Sequence, residues 1–545
     1  MQNATSRQIS GNSTQGFYDV KRSFSESIPG IAFTLLAGFV ILITLYAAAF
    51  PVAVVSYERD IWHHLAVYRE LIASPFYAEN PHVATSDPSR SYSPWTMAVA
   101  LLAKATGGDA FGAVLLSSTI TIFALMIGIH QFARQYWQSN WAPFAFLVVF
   151  LGTWIIHINH TGYQTVSTFL FAISYPFGIV LAVGFLAWAL VIRLVRNDDN
   201  LLGGAVLLAV LAWFMFITHQ LQGLFAICAA ASFALFYGRA PLARRATLCV
   251  ALVVGLLATR YWWYFDPIGY VLSDEVREGH RAVRLLTYSL NNVPFIIGTL
   301  GLSCLGAIGF FDYHKRSPRY ELLLAFCVIL AGFVLLLIKE NWVSVRIVPF
   351  LVLYLQLGLA SFLLEPRKNF GARTWISAAL VAVLSYSLVT NIQLGWRAYT
   401  RAAGFLVIGG TETPPSTWSR DILRASAHAE KLVPEGSTAI AHLQTAFPIE
   451  ATSLNVVSIP RLFAEVPDML ERQDDTTDFF SAETSLVTRC QILARYDVSL
   501  IVYRGVWLDD AVEKQLDAFG ERSDVGDMSF IPANAAGEFD ICKGA

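Results

Sequence analysis

Apolar residues gather in long runs through roughly the first 400 positions, each run closed by charges or turn formers. A helix needs about 20 mainly apolar residues to cross about 30 Å of hydrocarbon, so the pattern predicts about eleven transmembrane helices. They fall approximately at 30–55, 110–132, 141–156, 175–192, 201–218, 221–238, 246–263, 292–311, 321–338, 347–364 and 374–394. The stretch from Pro94 to Ala103 offers only about ten usable positions before Lys104, which predicts an interfacial helix rather than a crossing.

From about Thr400 the pattern changes to short alternating runs between amphipathic ones. Strands are predicted at Thr438–Leu443, Asn455–Ile459, Val498–Tyr503 and Met528–Ile531, and helices at Ser419–Leu432, Thr484–Arg495 and Asp509–Phe519. Pro434-Glu435-Gly436, Pro460 and the Asp474-Asp475 pair are the turn signals between them. The chain therefore reads as a tail at 1–29, a helical membrane domain at 30–400 with a long loop at 56–95, and one small α/β soluble domain at 401–545.

Composition agrees. Hydrophobic residues make up 55% of the 545 and charged residues 14%, against about 25% charged in soluble proteins, and mean hydropathy is +0.52. A net charge of -2 provides no basic field for nucleic acid, so DNA and RNA are not expected partners.

The sides of the membrane follow from Lys and Arg in the short loops. Those holding Arg134; Arg193 and Arg196; Arg239, Arg244 and Arg245; Lys315, Arg316 and Arg319; and Arg367, Lys368 and Arg373 carry about twelve cations in about forty residues. The opposite loops carry about nine in roughly a hundred. The basic set is assigned to the cytoplasm, together with the N-terminal tail, and the soluble domain to the outside. The first run follows a polar leader of about 29 residues, which fits an uncleaved anchor better than a signal peptide. Cys490 and Cys542 both fall in the outside domain, where an oxidising compartment permits a bridge.

Away from their ends the spans hold almost no ionisable residue, which argues against a proton or ion path. Unusual polar residues collect instead at the ends assigned to the exterior. Directly after the first span stands Ser56-Tyr57-Glu58-Arg59-Asp60-Ile61-Trp62-His63-His64; Asp60 and His64 are four apart and share one helix face. His157 and His160 follow the third span and His219 the fifth. Lys339 and Arg346 flank the loop before the tenth. A cation at a helix start, such as Arg346, opposes the helix dipole unless an anion is bound; with free N–H groups it makes a phosphate-binding arrangement at the depth of a lipid phosphate. Each residue alone also reads as interfacial, with Arg346 snorkelling to headgroups. Their convergence on one side favours chemistry.

This order of features resembles the GT-C superfamily of membrane glycosyltransferases, which use polyprenyl-phosphate-linked sugars. The resemblance rests on Glu58 and Asp60 in the first outer loop, the string Asp60-Ile-Trp-His-His64-Leu-Ala, Arg346 with Pro349, and Leu493-Ala-Arg-Tyr-Asp-Val-Ser-Leu-Ile-Val-Tyr503. It implies that Asp60 or Glu58 deprotonates the acceptor or helps hold a divalent cation, magnesium or manganese. Arg59 separates the two carboxylates, so the adjacent acidic pair of protein mannosyltransferases is absent. It further implies that His63 and His64 orient the acceptor and that Arg346, with Lys339, contacts the donor phosphate; His157, His160 and His219 complete the candidate substrate-binding set. The implied partners are a polyprenyl-phosphate-linked sugar and an extracytoplasmic glycan, lipid or protein acceptor, in a bacterial inner membrane. A lipid-linked glycan flippase and an oligosaccharide ligase are the alternatives.

Overall fold

The structure is a computed structural model and describes residues 12–49, 60–87, 89–154, 164–197, 200–272, 300–312, 315–339, 343–365, 372–403, 417–443, 445–460, 466–534 and 537–544. The membrane part begins with α1 (Asn12–Ala48), α2 (Asp60–Ala73), α3 (Pro94–Ala105) and α4 (Ala110–Trp137). It continues with α5 (Ala142–Gly152), α6 (Val166–Ala172), α7 (Pro176–Arg196), α8 (Leu201–Thr218), α9 (Gln220–Phe236), α10 (Leu242–Ala258) and α11 (Pro267–Leu272). A 3-10 helix at Gly301–Phe310, a two-strand hairpin of β1 (Phe311–Asp312) and β2 (Ser317–Pro318), and α12 (Tyr320–Ile338), α13 (Val343–Leu364) and α14 (Ala372–Ala403) complete it.

Among the described residues, 8 helices are long and apolar enough to cross a membrane, and three shorter apolar helices, Ala142–Gly152, Gln220–Phe236 and Gly301–Phe310, lie in the other predicted runs. The short α3 starts where Ser93 and Thr96 cap each other's backbone and Pro94 pre-sets the first turn. Its 12 residues span about 18 Å at about 1.5 Å each, too little to cross.

Two helices form the centre of the bundle. α7 and α13 are 83% and 89% buried over their apolar windows, whereas the other long spans are 22% to 44% buried and turn the rest toward lipid. Close approach needs small residues, because lipid offers no hydrophobic force to press helices together. Gly306 and Gly309 lie against the backbone of Leu355 and Gly358 on α13, where a β-carbon would collide. Gln356 of α13 donates to Phe150 O at 3.0 Å and Thr153 Oγ1 at 2.7 Å, a polar tie between spans.

Hydrogen bonds group the described loops at two ends. At one end Arg196 bonds Gln135 O and Tyr237 Oη, Arg244 donates to Asn197 O at 3.1 Å, and Tyr136 Oη meets Glu321 Oε1 at 2.9 Å. At the other, Trp262 Nε1 donates to Tyr92 O at 2.8 Å, Tyr264 Oη to Pro75 O at 2.9 Å and Lys104 Nζ to Ala73 O at 3.2 Å.

The C-terminal part is α/β. It contains α15 (Thr417–Leu432), β3 (Thr438–Ala441), α16 (Ala446–Glu450), β4 (Asn455–Val456), α17 (Met469–Phe479), α18 (Leu486–Arg495), β5 (Val498–Arg504), α19 (Asp510–Leu516), β6 (Ser523–Val525) and β7 (Met528–Pro532). The sheet order is β4-β3-β5-β7-β6, with β4, β3 and β5 parallel and β7 antiparallel to both β5 and β6. All four predicted strands are present. The Asp474-Asp475 pair is not a turn: it lies inside α17, where Asp475 pairs with Arg495 at 2.8 Å and accepts from Tyr496 Oη at 2.7 Å. Cross-helix partners outweigh the turn preference of two adjacent aspartates.

Alternation along each strand divides the sheet's side chains between two cores. Ala439, Ala441, Leu500, Val502, Met528 and Phe530 join the core that is continuous with the membrane bundle. Ile440, Ile501, Tyr503 and Ile531 face a second core with Phe479, Val512 and Phe519. The first outer loop extends the sheet edge, Ala84 N–H donating to Val456 O at 3.0 Å.

Cys490 on α18 is bonded to Cys542 in the terminal 3-10 helix, with Cα atoms 5.4 Å apart and a sequence separation of 52. Peptide mapping without reductant should recover this pair as one linked species. Cys490→Ser should lower the stability of the domain by about 2–4 kcal/mol; free thiols at both positions in protein secreted across a membrane would contradict the bond.

Candidate functional site

The site grows from α2, whose first described residue is Asp60, twelve positions after α1 ends. A carboxylate in the first turn suits the helix dipole. Asp60 is partly buried, and the helical period puts His64 on its face one turn later while turning His63 aside. His64 lies over Tyr175, the residue that opens α7, with ring centroids 4.2 Å apart.

His219 occupies the turn between α8 and α9 and caps α9: its Nδ1 accepts the Gln222 N–H at 3.2 Å. This bond places the proton of the neutral ring on Nε2. Burial pushes the imidazole down from its ordinary value to about 4, and the positive charges of Arg346, Arg90 and His64 act in the same direction. His219 therefore feels both the guanidinium in the first turn of α13 and the histidine one turn from Asp60. Arg346, Arg90 and His64 thus all act on His219, and Asp60 stands one turn before His64 on α2.

The remaining candidates distribute differently. His63 is buried at 5% exposure and meets Glu450 of the sheet domain, Nδ1 to Oε1 at 2.6 Å, rather than the cluster around His219. Lys339 is exposed at the C-terminal cap of α12, and no described contact joins it to Arg346. Glu58, His157 and His160 lie outside the described residues. Of the tryptophans at this end, Trp62, Trp95, Trp154 and Trp262 are buried packing residues, whereas Trp263 is 58% exposed.

Sequence reasoning missed Arg90, His82 and Glu450. Arg90 and His82 stand in the first outer loop between Pro81 and the Tyr92-Ser93-Pro94 return to the membrane, where loop position was the available signal. Glu450 ends a five-residue helix with no motif around it. Among the described residues, the metal-ligand side chains that converge are His63, His82 and Glu450.

No family model matches the sequence, and no curated protein does. Solved structures do match. The arabinofuranosyltransferase AftD from mycobacteria aligns with a TM-score of 0.54 at 17% identity, over 92% of this chain and 40% of its own. The chain thus spans about two fifths of AftD, but nearly all of ArnT from Cupriavidus metallidurans, which aligns at 0.52 and 13% identity over 92% and 99%. The ArnT structure bound to undecaprenyl phosphate gives the same values. The Archaeoglobus fulgidus oligosaccharyltransferase aligns at 0.50 and 10% identity, over 92% and 75%. At such identities the likeness is one of backbone architecture: the chain shares the fold of these membrane transferases.

Proposed function

We propose that the protein transfers a sugar from a polyprenyl-phosphate donor to an acceptor hydroxyl at the outer face of the membrane. The observation that carries this reading is the position of His219, which feels both Arg346 and His64, the latter one turn from Asp60. The undecaprenyl phosphate bound to ArnT, a protein of the same fold, supports the class of donor.

The chemistry follows from the groups present. The acceptor oxygen attacks the anomeric carbon, the bond from that carbon to the phosphate oxygen breaks, and polyprenyl phosphate leaves with the electron pair. Asp60, or Glu58, takes the hydroxyl proton. Arg346 neutralises charge developing on the phosphate, aided by N–H groups of the first turn of α13. His219, held neutral with its proton on Nε2, offers a donor to the same oxygens without adding a further cation. A single displacement inverts the anomeric centre. The basic loops at the far end support a cytoplasmic position for that end, and the Cys490–Cys542 bond suits an oxidising exterior.

Purified protein given a radiolabelled polyprenyl-phosphate sugar and a hydroxyl acceptor should form product of inverted linkage. Asp60→Asn should slow turnover by about 10²–10⁴-fold, and Arg346→Ala by about 10²–10³-fold with a raised donor KM. Wild-type rates in both Asp60→Asn and Glu58→Gln would overturn the base assignment, and movement of donor across vesicles with its linkage intact would replace transfer by flipping.

His219 also predicts a pH dependence. Between about pH 4 and its ordinary value of about 6.5, the unfolded chain binds the proton and the folded chain does not, so His219 adds stability above that window and loses it as pH falls through it. The difference in thermal midpoint between wild type and His219→Gln should narrow as pH is lowered across the window; a constant difference would show that His219 does not carry this linkage.

A further inference from the structure

Outside the Arg346 cluster, three ligand-type side chains from distant parts of the chain meet in the interior of the outer end. His63 comes from α2, His82 from the loop that follows it, and Glu450 from the last position of α16 in the sheet domain. Their exposures are 5%, 1% and 0%. One donor atom from each lies within 4.8 Å of the others. His63 Nδ1 is 2.6 Å from Glu450 Oε1 and His82 Nδ1 is 3.3 Å from Glu450 Oε2, so the two imidazoles address one carboxylate oxygen each. The rings stand edge to face with centroids 5.0 Å apart.

His82 and Glu450 are held by their surroundings. His82 Nε2 is 3.4 Å from Ser91 Oγ, which leaves Nδ1 directed at the carboxylate. Asn80 Oδ1 accepts the N–H groups of His82 at 3.0 Å and Val83 at 3.3 Å and fixes the loop. Arg69 Nη1 donates to Glu450 O at 2.9 Å and fixes the end of α16. Ordered outer partners of this kind set ring orientation in metal sites.

A carboxylate removed from water costs several kcal/mol unless positive charge lies against it. Two imidazole nitrogens and one carboxylate form the three-protein-ligand set of zinc sites that keep a fourth position for water, whereas magnesium and calcium take mainly oxygen ligands. We infer that His63, His82 and Glu450 bind one zinc-class divalent cation, which clasps the outer-loop helix to the sheet domain. The site is separate from any cation held by the loop-one carboxylates, and its donor set differs from that of a magnesium or manganese site. Asp60 stands three residues before His63 on the same helix, so the cation sets the pose of the helix on which Asp60 stands. It is a positioning site, and the sugar-transfer steps do not pass through it.

The test uses the full chain, purified on a tag without histidine, loaded with zinc sulfate alone and passed through a desalting column. Elemental analysis should find about one zinc per chain, and chelation followed by thermal unfolding should lower the midpoint, with recovery on adding zinc. Glu450→Gln and His82→Gln should weaken retention roughly tenfold or more and abolish the thermal response to zinc. Wild-type protein that retains no zinc after loading and melts identically with and without chelator would overturn the site, as would Glu450→Gln protein that retains as much zinc as wild type. Should the variants fail to fold, the wild-type chelation arm decides alone. Metal content and melting are read without any transferase assay, so failure here leaves the proposed reaction standing, and failure of the reaction leaves this site standing.

Discussion

Hydrocarbon tolerates neither unpaired backbone groups nor isolated charge, and that intolerance organises this protein. The spans satisfy their backbones internally and present apolar side chains to lipid, so reactive groups can stand only at helix ends and in the loops between them. The two ends then diverge. One gathers arginines that bond loop carbonyls and tyrosines, as Arg196 and Arg244 do. The other gathers an acidic helix start at Asp60, the histidines His64 and His219, and Arg346 at the start of a nearly fully buried span. A sheet domain sits on that second end, where Glu450 meets His63 of α2.

The central pair α7 and α13 gives the outer end its rigidity. Both carry residues of the site at their outer termini, Tyr175 just before α7 and Arg346 in the first turn of α13. Both are also packed on all sides, α13 through glycine contacts at Gly306 and Gly309 and the Gln356 tie to α5. A guanidinium at the end of a lipid-facing helix would move with that helix; one at the end of a core helix keeps its place.

Much of this was legible in the residue order, for physical reasons. The thickness of a bilayer imposes a length on each apolar run, so every described span overlaps a predicted one, and alternation of small apolar residues marked β3, β5 and β7 correctly. The i, i+4 relation put Asp60 and His64 on one face, as found. Other features were not local enough to read. Glu450 and His82 are hundreds of positions apart and carry no motif, so their meeting depends on tertiary docking. His63 was grouped with His64 because they adjoin in sequence, yet a helix turns neighbours by about 100°, and the two face different partners. α17 was hidden because its polar face dominates and Asp474-Asp475 imitates a turn. β6 is three residues long and edge-exposed, too short for any pattern to register.

Because alternate residues of β3, β5 and β7 belong to the same core as the membrane helices, the sheet domain is not a detachable appendage. Cutting the chain before α15 would strip the bundle of part of its interior and leave the backbone of Ala84 without the Val456 carbonyl it bonds. The severed piece would carry an open strand edge at β4 and a bare apolar face, the conditions under which isolated sheets self-associate. Loss of activity on such truncation would therefore report a broken scaffold, and dissection of this protein is better done by side-chain replacement than by excision.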